Sequence, residues 1–305
     1  MQRRAFLISL SAAACAPTPQ PDEPVASAGH RFQLAICNET FQQAGFAEGC
    51  ELALATGYAG LEIAPWTLSE DPASLSAGRR RECRATIEQA GVAYVGLHSL
   101  LTAPRGKLHI TTPDDAVREK SWDYFRRLID LCADLGDNGL MILGSGKQRR
   151  AVGGSTVDDA VKRLRDGLAS LADHAGERGV TILPETLAPH LCDVLTSMEQ
   201  TRAMVEEIGH PAVRTMFDTH NAVAEPVPHD VLIRQHAEFI KHVHINEMDG
   251  GHPGTGNYDF SVPLRALKEV GYDGWLSLEV FKFEPSGEEI ARMSAEYLRQ
   301  IEASL

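Results

Sequence analysis

Four apolar stretches in the second half of the chain run into ionisable residues. VTILPETL (180–187) carries Glu185, and VRTMFDTH (213–220) carries Asp218 and His220. IKHVHINE (240–247) carries His242 and His244, and WLSLEVF (275–281) carries Glu279. A strand buried on both faces reads as apolar, and an unpaired charge away from water is costly. Ionisable groups at equivalent places in successive strands therefore call for a shared counter-charge, which a divalent cation supplies. The plain alternative, separate salt bridges or helix caps, would have to recur in every one of these stretches. Three carboxylates and one imidazole make a hard, mostly oxygen donor set. It suits one Mn²⁺, Mg²⁺ or Co²⁺ better than a structural zinc, which takes thiolates, although Zn²⁺ stays within its range.

For these groups to meet, their strands must be neighbours. From Phe32 onward, short apolar runs alternate with amphipathic ones. The earlier runs are FQLAICNE (32–39), GLEIAP (60–65), AYVGLHSL (93–100) and GLMILGS (139–145). Helical patterning is expected over 44–56, 75–89, 116–135, 157–178, 197–208, 230–238, 262–270 and 287–303. This rhythm predicts an α/β fold, a (β/α)8 TIM barrel forming a single domain over residues 29–305, with all strand ends opening into one mouth. A doubly wound open sheet would place a Gly-rich phosphate loop after its first strand. The chain instead continues NETFQQAGF.

Further residues fall at that mouth. Glu62 ends the second run beside Trp66, which would stack on a sugar face or pack against a helix. The segment GSGKQRR (144–150) offers Lys147 and Arg149, either as a clamp for a phosphate or several hydroxyls or as a solvated basic loop. LLTAPRGKLHITTPDD (100–115) has the length of a lid, with Arg105, Lys107 and His109 set to reach substrate or solvent.

The stretches LPETL (183–187), FDTHN (217–221), HVHINE (242–247), PGTGNYDF (253–260) and LSLEVF (276–281), in this order and on these strands, resemble the xylose-isomerase-like sugar epimerase and isomerase superfamily. The resemblance covers the chain after its leader. It implies metal ligands Glu185, Asp218, His244 and Glu279, with His242 as a neighbour. It also implies that Glu185 and Glu279 remove and return a proton next to a carbonyl, with the metal stabilising the enediolate. Inversion gives epimerisation of a keto sugar or oxidised glycoside. Transfer between adjacent carbons gives isomerisation, and a leaving group β to the carbanion gives a lyase or dehydratase. His98 at the end of the third strand is placed by the resemblance against substrate, or is a satisfied core histidine. His252 stands where some relatives carry a substrate-contacting Arg. His220 lies two residues after Asp218, where many relatives have their His three after, and Asn221 holds that place here. Substrate contacts are thus expected from His98, His220, Glu62, Trp66, Lys147, Arg149, His242 and His252. Relatives are often dimers or tetramers.

The start of the chain, MQRRAFLISLSAAACAP, joins a twin-arginine pair to a short apolar run and then small residues before Cys15. It reads as an export signal, with Cys15 as a lipid-anchoring site and residues 16–28 as a tether; residues 1–28 are excluded from the fold. A periplasmic location is expected. A net charge of -13 disfavours a nucleic-acid partner, and with it a nuclease. No cysteine pair has CxxC spacing, so buried free thiols are expected. A non-enzymatic sugar-binding barrel is the remaining reading, disfavoured by the complete Glu, Asp, His and Glu set.

Overall fold

The computed structural model describes residues 31–305, so the export signal and Cys15 lie outside the described residues. Eight parallel strands form one sheet: β1 (Gln33–Cys37), β2 (Gly60–Ile63), β3 (Ala93–Leu97), β4 (Leu140–Leu143), β5 (Thr181–Pro184), β6 (Thr215–Asp218), β7 (Ile240–Ile245) and β8 (Trp275–Leu278). Sequence neighbours pair, except β5 with β6, and β1 pairs with β8. The circle is thinnest between β5 and β6. There a single bridge, Ile182 to Val213, is flanked by Ile182 N–H to Ala212 O (2.8 Å) and Arg214 N–H to Ile182 O (3.0 Å). The architecture is the (β/α)8 barrel that the alternation predicts.

The helices are α1 (Phe46–Ala55), α2 (Ala77–Ala90), α3 (Asp115–Leu135), α4 (Gly146–Arg149), α5 (Val157–Glu177), α6 (Met198–Ile208), α7 (His229–His236), α8 (Ser261–Glu269) and α9 (Gly287–Ala303). Their starts follow local chemistry. Asp114 caps α3, and reciprocal capping boxes, Thr156 with Asp159 and Ser286 with Glu289, open α5 and α9. On α3 the buried residues Tyr124, Phe125, Leu128, Ile129, Leu131, Cys132 and Leu135 form the stripe that docks on the sheet. Short α4 is the one helix that the patterning does not anticipate.

Most of the core lies between strands and helices. A separate small cluster of Ile142, Leu183 and Met216 fills the barrel interior. Side chains alternate with a period of two, so Leu183 shares its face with Glu185, Met216 with Asp218, His242 with His244, and Ser277 with Glu279. The interior is therefore apolar at the Ile142, Leu183 and Met216 level and ionisable towards the C-terminal rim, with buried Glu62 and His242 in between. Gly96 lets β3 approach β4 closely: a Cβ there would meet the Leu140 carbonyl oxygen at 2.0 Å. The five described cysteines are buried free thiols. Among the described residues, no helix is long and apolar enough to cross a membrane.

Candidate active site

Glu185 follows β5, Asp218 ends β6, His244 lies in β7 and Glu279 follows β8. Each offers a donor atom, and these four atoms lie within 4.8 Å of one another. All four residues are buried. His244 Nδ1 is 3.1 Å from Glu279 Oε2 and 3.6 Å from Asp218 Oδ2. Neither His244 Nδ1 nor Asp218 Oδ2 has a hydrogen-bond partner. A lone pair and a carboxylate oxygen, both buried and aimed at one point, are what a cation would satisfy. Burial first, then the neighbouring Asp218 and Glu279 carboxylates, push the Glu185 carboxyl up to about 8. Such crowding of like charge is relieved by a cation at the same point. The donor set fits a divalent metal.

A second layer holds these groups in place. The His244 Nε2–H donates to Glu62 at 3.0 and 3.2 Å, leaving Nδ1 as the forward lone pair. His242 Nε2 donates to Glu62 Oε2 at 2.7 Å, and His98 Nδ1 stands 3.2 Å from Glu62 Oε1. Burial alone would raise the Glu62 carboxyl, but the imidazoles of His244, His242 and His98 hold it well below the usual carboxylate range. Asn221 donates its side-chain N–H to Glu185 Oε1 (2.6 Å) and its backbone N–H to Asp218 Oδ1 (2.7 Å).

Above this floor are two adjoining cavities. One, of about 340 Å³, is lined by His98, Lys147, Glu185, Asn221, Glu279 and Phe281, among others. The other, of about 930 Å³, runs outward past Glu39, Trp66, Arg105, Lys107, Phe281 and Phe283. Trp66 thus stands on the cleft wall, and Phe281, 51% exposed, lines both cavities.

Several sequence expectations change. Arg149 does not face substrate. It is 0% exposed, and its guanidinium donates to the carbonyls of Gly144 (2.6 Å), Val194 (3.1 Å) and Glu185 (2.5 Å), so segment 144–150 is neither a clamp nor a solvated loop at this residue. Lys147 of the same turn is exposed at the inner cavity. Glu62 and His242 are fully buried, hydrogen-bonded to each other, and line neither cavity. His252 also lines neither cavity; it is buried, with Nδ1 3.3 Å from the Pro253 carbonyl. His220 directs Nδ1 to the Met248 carbonyl (2.7 Å) and tilts its ring on Phe281, supporting the cleft wall. On the long loop, Arg105 and Lys107 line the outer cleft, whereas His109 lies beside Thr111. Glu39 went unread. It ends the first apolar run, buried, with Oε1 2.6 Å from His98 Nε2. The same strand-end pattern that marks Glu185 marks it.

Fold and rim together define a sugar-isomerase-type barrel, and the chain belongs to the xylose isomerase-like TIM barrel family, whose model matches residues 50–301. Among curated proteins it is similar to a ketose 3-epimerase of Arthrobacter globiformis, 25% identical over 81% of this chain and 83% of that one. An L-ribulose 3-epimerase of Mesorhizobium japonicum is 29% identical, covering 74% of this chain and 73% of its own. Among solved structures, the 3-keto-D-glucoside 4-epimerase of E. coli superposes with a TM-score of 0.76 at 18% identity, over 88% of this chain and 100% of that chain.

Proposed function

We propose that the protein is a divalent-metal-dependent epimerase acting on a keto sugar or oxidised glycoside by proton transfer next to the carbonyl. The observation that carries this reading is that Glu185 and Glu279 belong to one four-residue donor cluster and both line the same inner cavity. The epimerase names of the curated relatives support it. Glu185, Asp218, His244 and Glu279 would hold the ion, with Mn²⁺, Mg²⁺ or Co²⁺ best suited to three carboxylates and one imidazole. When bound, the ion acidifies the carbon next to a chelated carbonyl and offsets the charge that develops on oxygen.

The chain's own groups do the rest. Glu185 after β5 and Glu279 after β8 reach the same cavity from different strands, and in this reading one removes the proton and the other returns it on the opposite face. Asn221 fixes Glu185 Oε1, and Glu62 fixes the tautomer of His244. Trp66 and Phe281 offer flat apolar faces to a sugar ring and Lys147 a polar contact to its hydroxyls, whereas both ring nitrogens of His98 face carboxylates, Glu39 and Glu62. In this proposal the barrel (29–305) works outside the cytoplasm, delivered by the leader in residues 1–28, which favours an unphosphorylated sugar.

The test is elemental analysis of the purified protein, then incubation with L-ribulose, D-fructose and 3-keto-glucosides in D₂O after Mn²⁺ loading. Deuterium at the carbon beside the carbonyl, with inversion there, supports the reading. Loss of water from the substrate would identify a lyase. No exchange with any of them, in a protein that has taken up metal, overturns proton-transfer chemistry on these sugars.

A further inference from the structure

Glu39 takes no part in the proton transfer proposed above. It leaves the barrel just past β1, in the 3-10 turn Asn38–Phe41, and is 6% exposed. His98 occupies its Oε1, but Oε2 has no partner although it is out of water. A buried carboxylate oxygen without a donor is costly and needs an explanation. Glu39, His98 and Glu279 each present a donor atom, and the three atoms lie within 4.8 Å of one another.

This second group repeats the construction of the first. His244 turns one ring nitrogen back to Glu62 and the other forward to carboxylates. His98 is placed similarly, its Nδ1 3.2 Å from Glu62 Oε1 though without a hydrogen bond there, and its Nε2 bonded to Glu39. The two rings meet edge to face with centroids 6.1 Å apart. One buried carboxylate thus backs two forward-facing imidazoles, the arrangement that sets ring orientation and basicity at metal sites.

Charge points the same way. The clustered carboxylates are Glu39, Glu62, Glu185, Asp218 and Glu279, and Arg149 is the buried guanidinium beside them. In the protonation state that ligation requires, every carboxylate ionised and every imidazole neutral, these groups leave four negative charges in excess. One divalent cation cancels half of that excess, and two cancel all of it.

We propose that Glu39, His98 and Glu279 form a second divalent-cation site, with Glu279 shared between the two ions. The proposal rests on reading the first cluster as a metal centre. A second ion there would face the outer cleft and take a further substrate oxygen.

The test strips the full-length protein with chelator, reloads it with MnCl₂, counts manganese by elemental mass spectrometry and records the electron paramagnetic resonance spectrum. About two manganese ions per chain, with the broadened signal of a coupled pair, are expected. Glu39→Gln should lower the count to about one and restore the spectrum of an isolated ion. His98→Gln should do likewise and serves if the first variant misfolds. A wild-type protein that saturates at one ion with an isolated-ion spectrum overturns the second site. It would leave a protonated His98 as the charge between Glu39 and Glu62, and the first site intact. A wild-type protein that takes up no manganese overturns both this proposal and the metal-dependent reading beneath it.

Discussion

Asn221 joins two of the proposed ligands through one residue: its backbone N–H holds Asp218 and its side chain holds Glu185. Asn221→Ala keeps the first bond and removes the second, freeing Glu185 Oε1. Losing a hydrogen bond to a ligand in this way is expected to weaken cation affinity about 10- to 100-fold, read by competition with a chelator of known affinity. Unchanged affinity would show that Glu185 is positioned by packing alone. Glu185→Gln and Glu279→Gln keep side-chain shape while removing the proton acceptor. Each should slow deuterium incorporation by about 10²- to 10⁴-fold, with circular dichroism unchanged. Near-wild-type incorporation in either variant would take that residue out of the proton transfer. These residues were legible in the sequence because a charge at the end of an apolar run contradicts its surroundings. Glu39 carries the same signal at the end of FQLAICNE. It is harder to read there because a single carboxylate on the first strand has no ionisable companion in its own run and its partner His98 lies 59 residues away.

At the level of elements, strands and long helices follow from local periodicity and capping, which is why their sequence bounds and their observed bounds nearly coincide. The segment after β4 does not. Ser145 adopts a left-handed conformation (φ +41°), α4 turns once, and Arg149 is carried inward beneath the rim. Nothing local dictates this, since its acceptors include the Val194 carbonyl, 45 residues further on. Composition alone shows a basic turn; the carbonyls that bury one of its arginines are a tertiary fact. Arg149→Ala would strand three inward-facing carbonyls. It should lower unfolding stability by about 3 kcal/mol or more in urea titration, at roughly 1–3 kcal/mol per unsatisfied buried group. Arg149→Lys should rescue little, because an ammonium lacks the planar fork that reaches separate acceptors at once. Lys147→Ala, exposed on the same turn, is the control and should leave stability unchanged. If Arg149→Ala instead kept full stability and raised only KM, the substrate-clamp expectation would return.

The whole molecule has one thin seam, and the proposed metal centre straddles it. Elsewhere, neighbouring strands pair along runs of residues, whereas β5 and β6 share only the Ile182–Val213 bridge and its flanking bonds. Three further links cross near the rim. Thr215 donates its hydroxyl to the Pro184 carbonyl (2.8 Å), Asn221 donates to Glu185, and the donor cluster takes Glu185 from one side and Asp218 from the other. A cation held by both carboxylates would therefore close the barrel where backbone pairing does so least. Binding to the folded state alone stabilises by about 2.7 kcal/mol at a hundredfold excess over Kd. In a barrel of this length that amounts to a Tm rise of roughly 5–10 °C, at roughly 2–4 °C per kcal/mol. The seam predicts where that gain is felt. In hydrogen exchange, the amides of Ile182 and Arg214 should gain protection on Mn²⁺ addition, because they open locally when the seam parts. Amides pairing β2 with β3, strands that supply none of the four donors, should change much less at the same concentration. A Tm that ignores cation concentration would sink the linkage altogether. Equal protection gains at the seam and at β2–β3 would show that the ion stabilises the barrel as a whole without fastening β5 to β6.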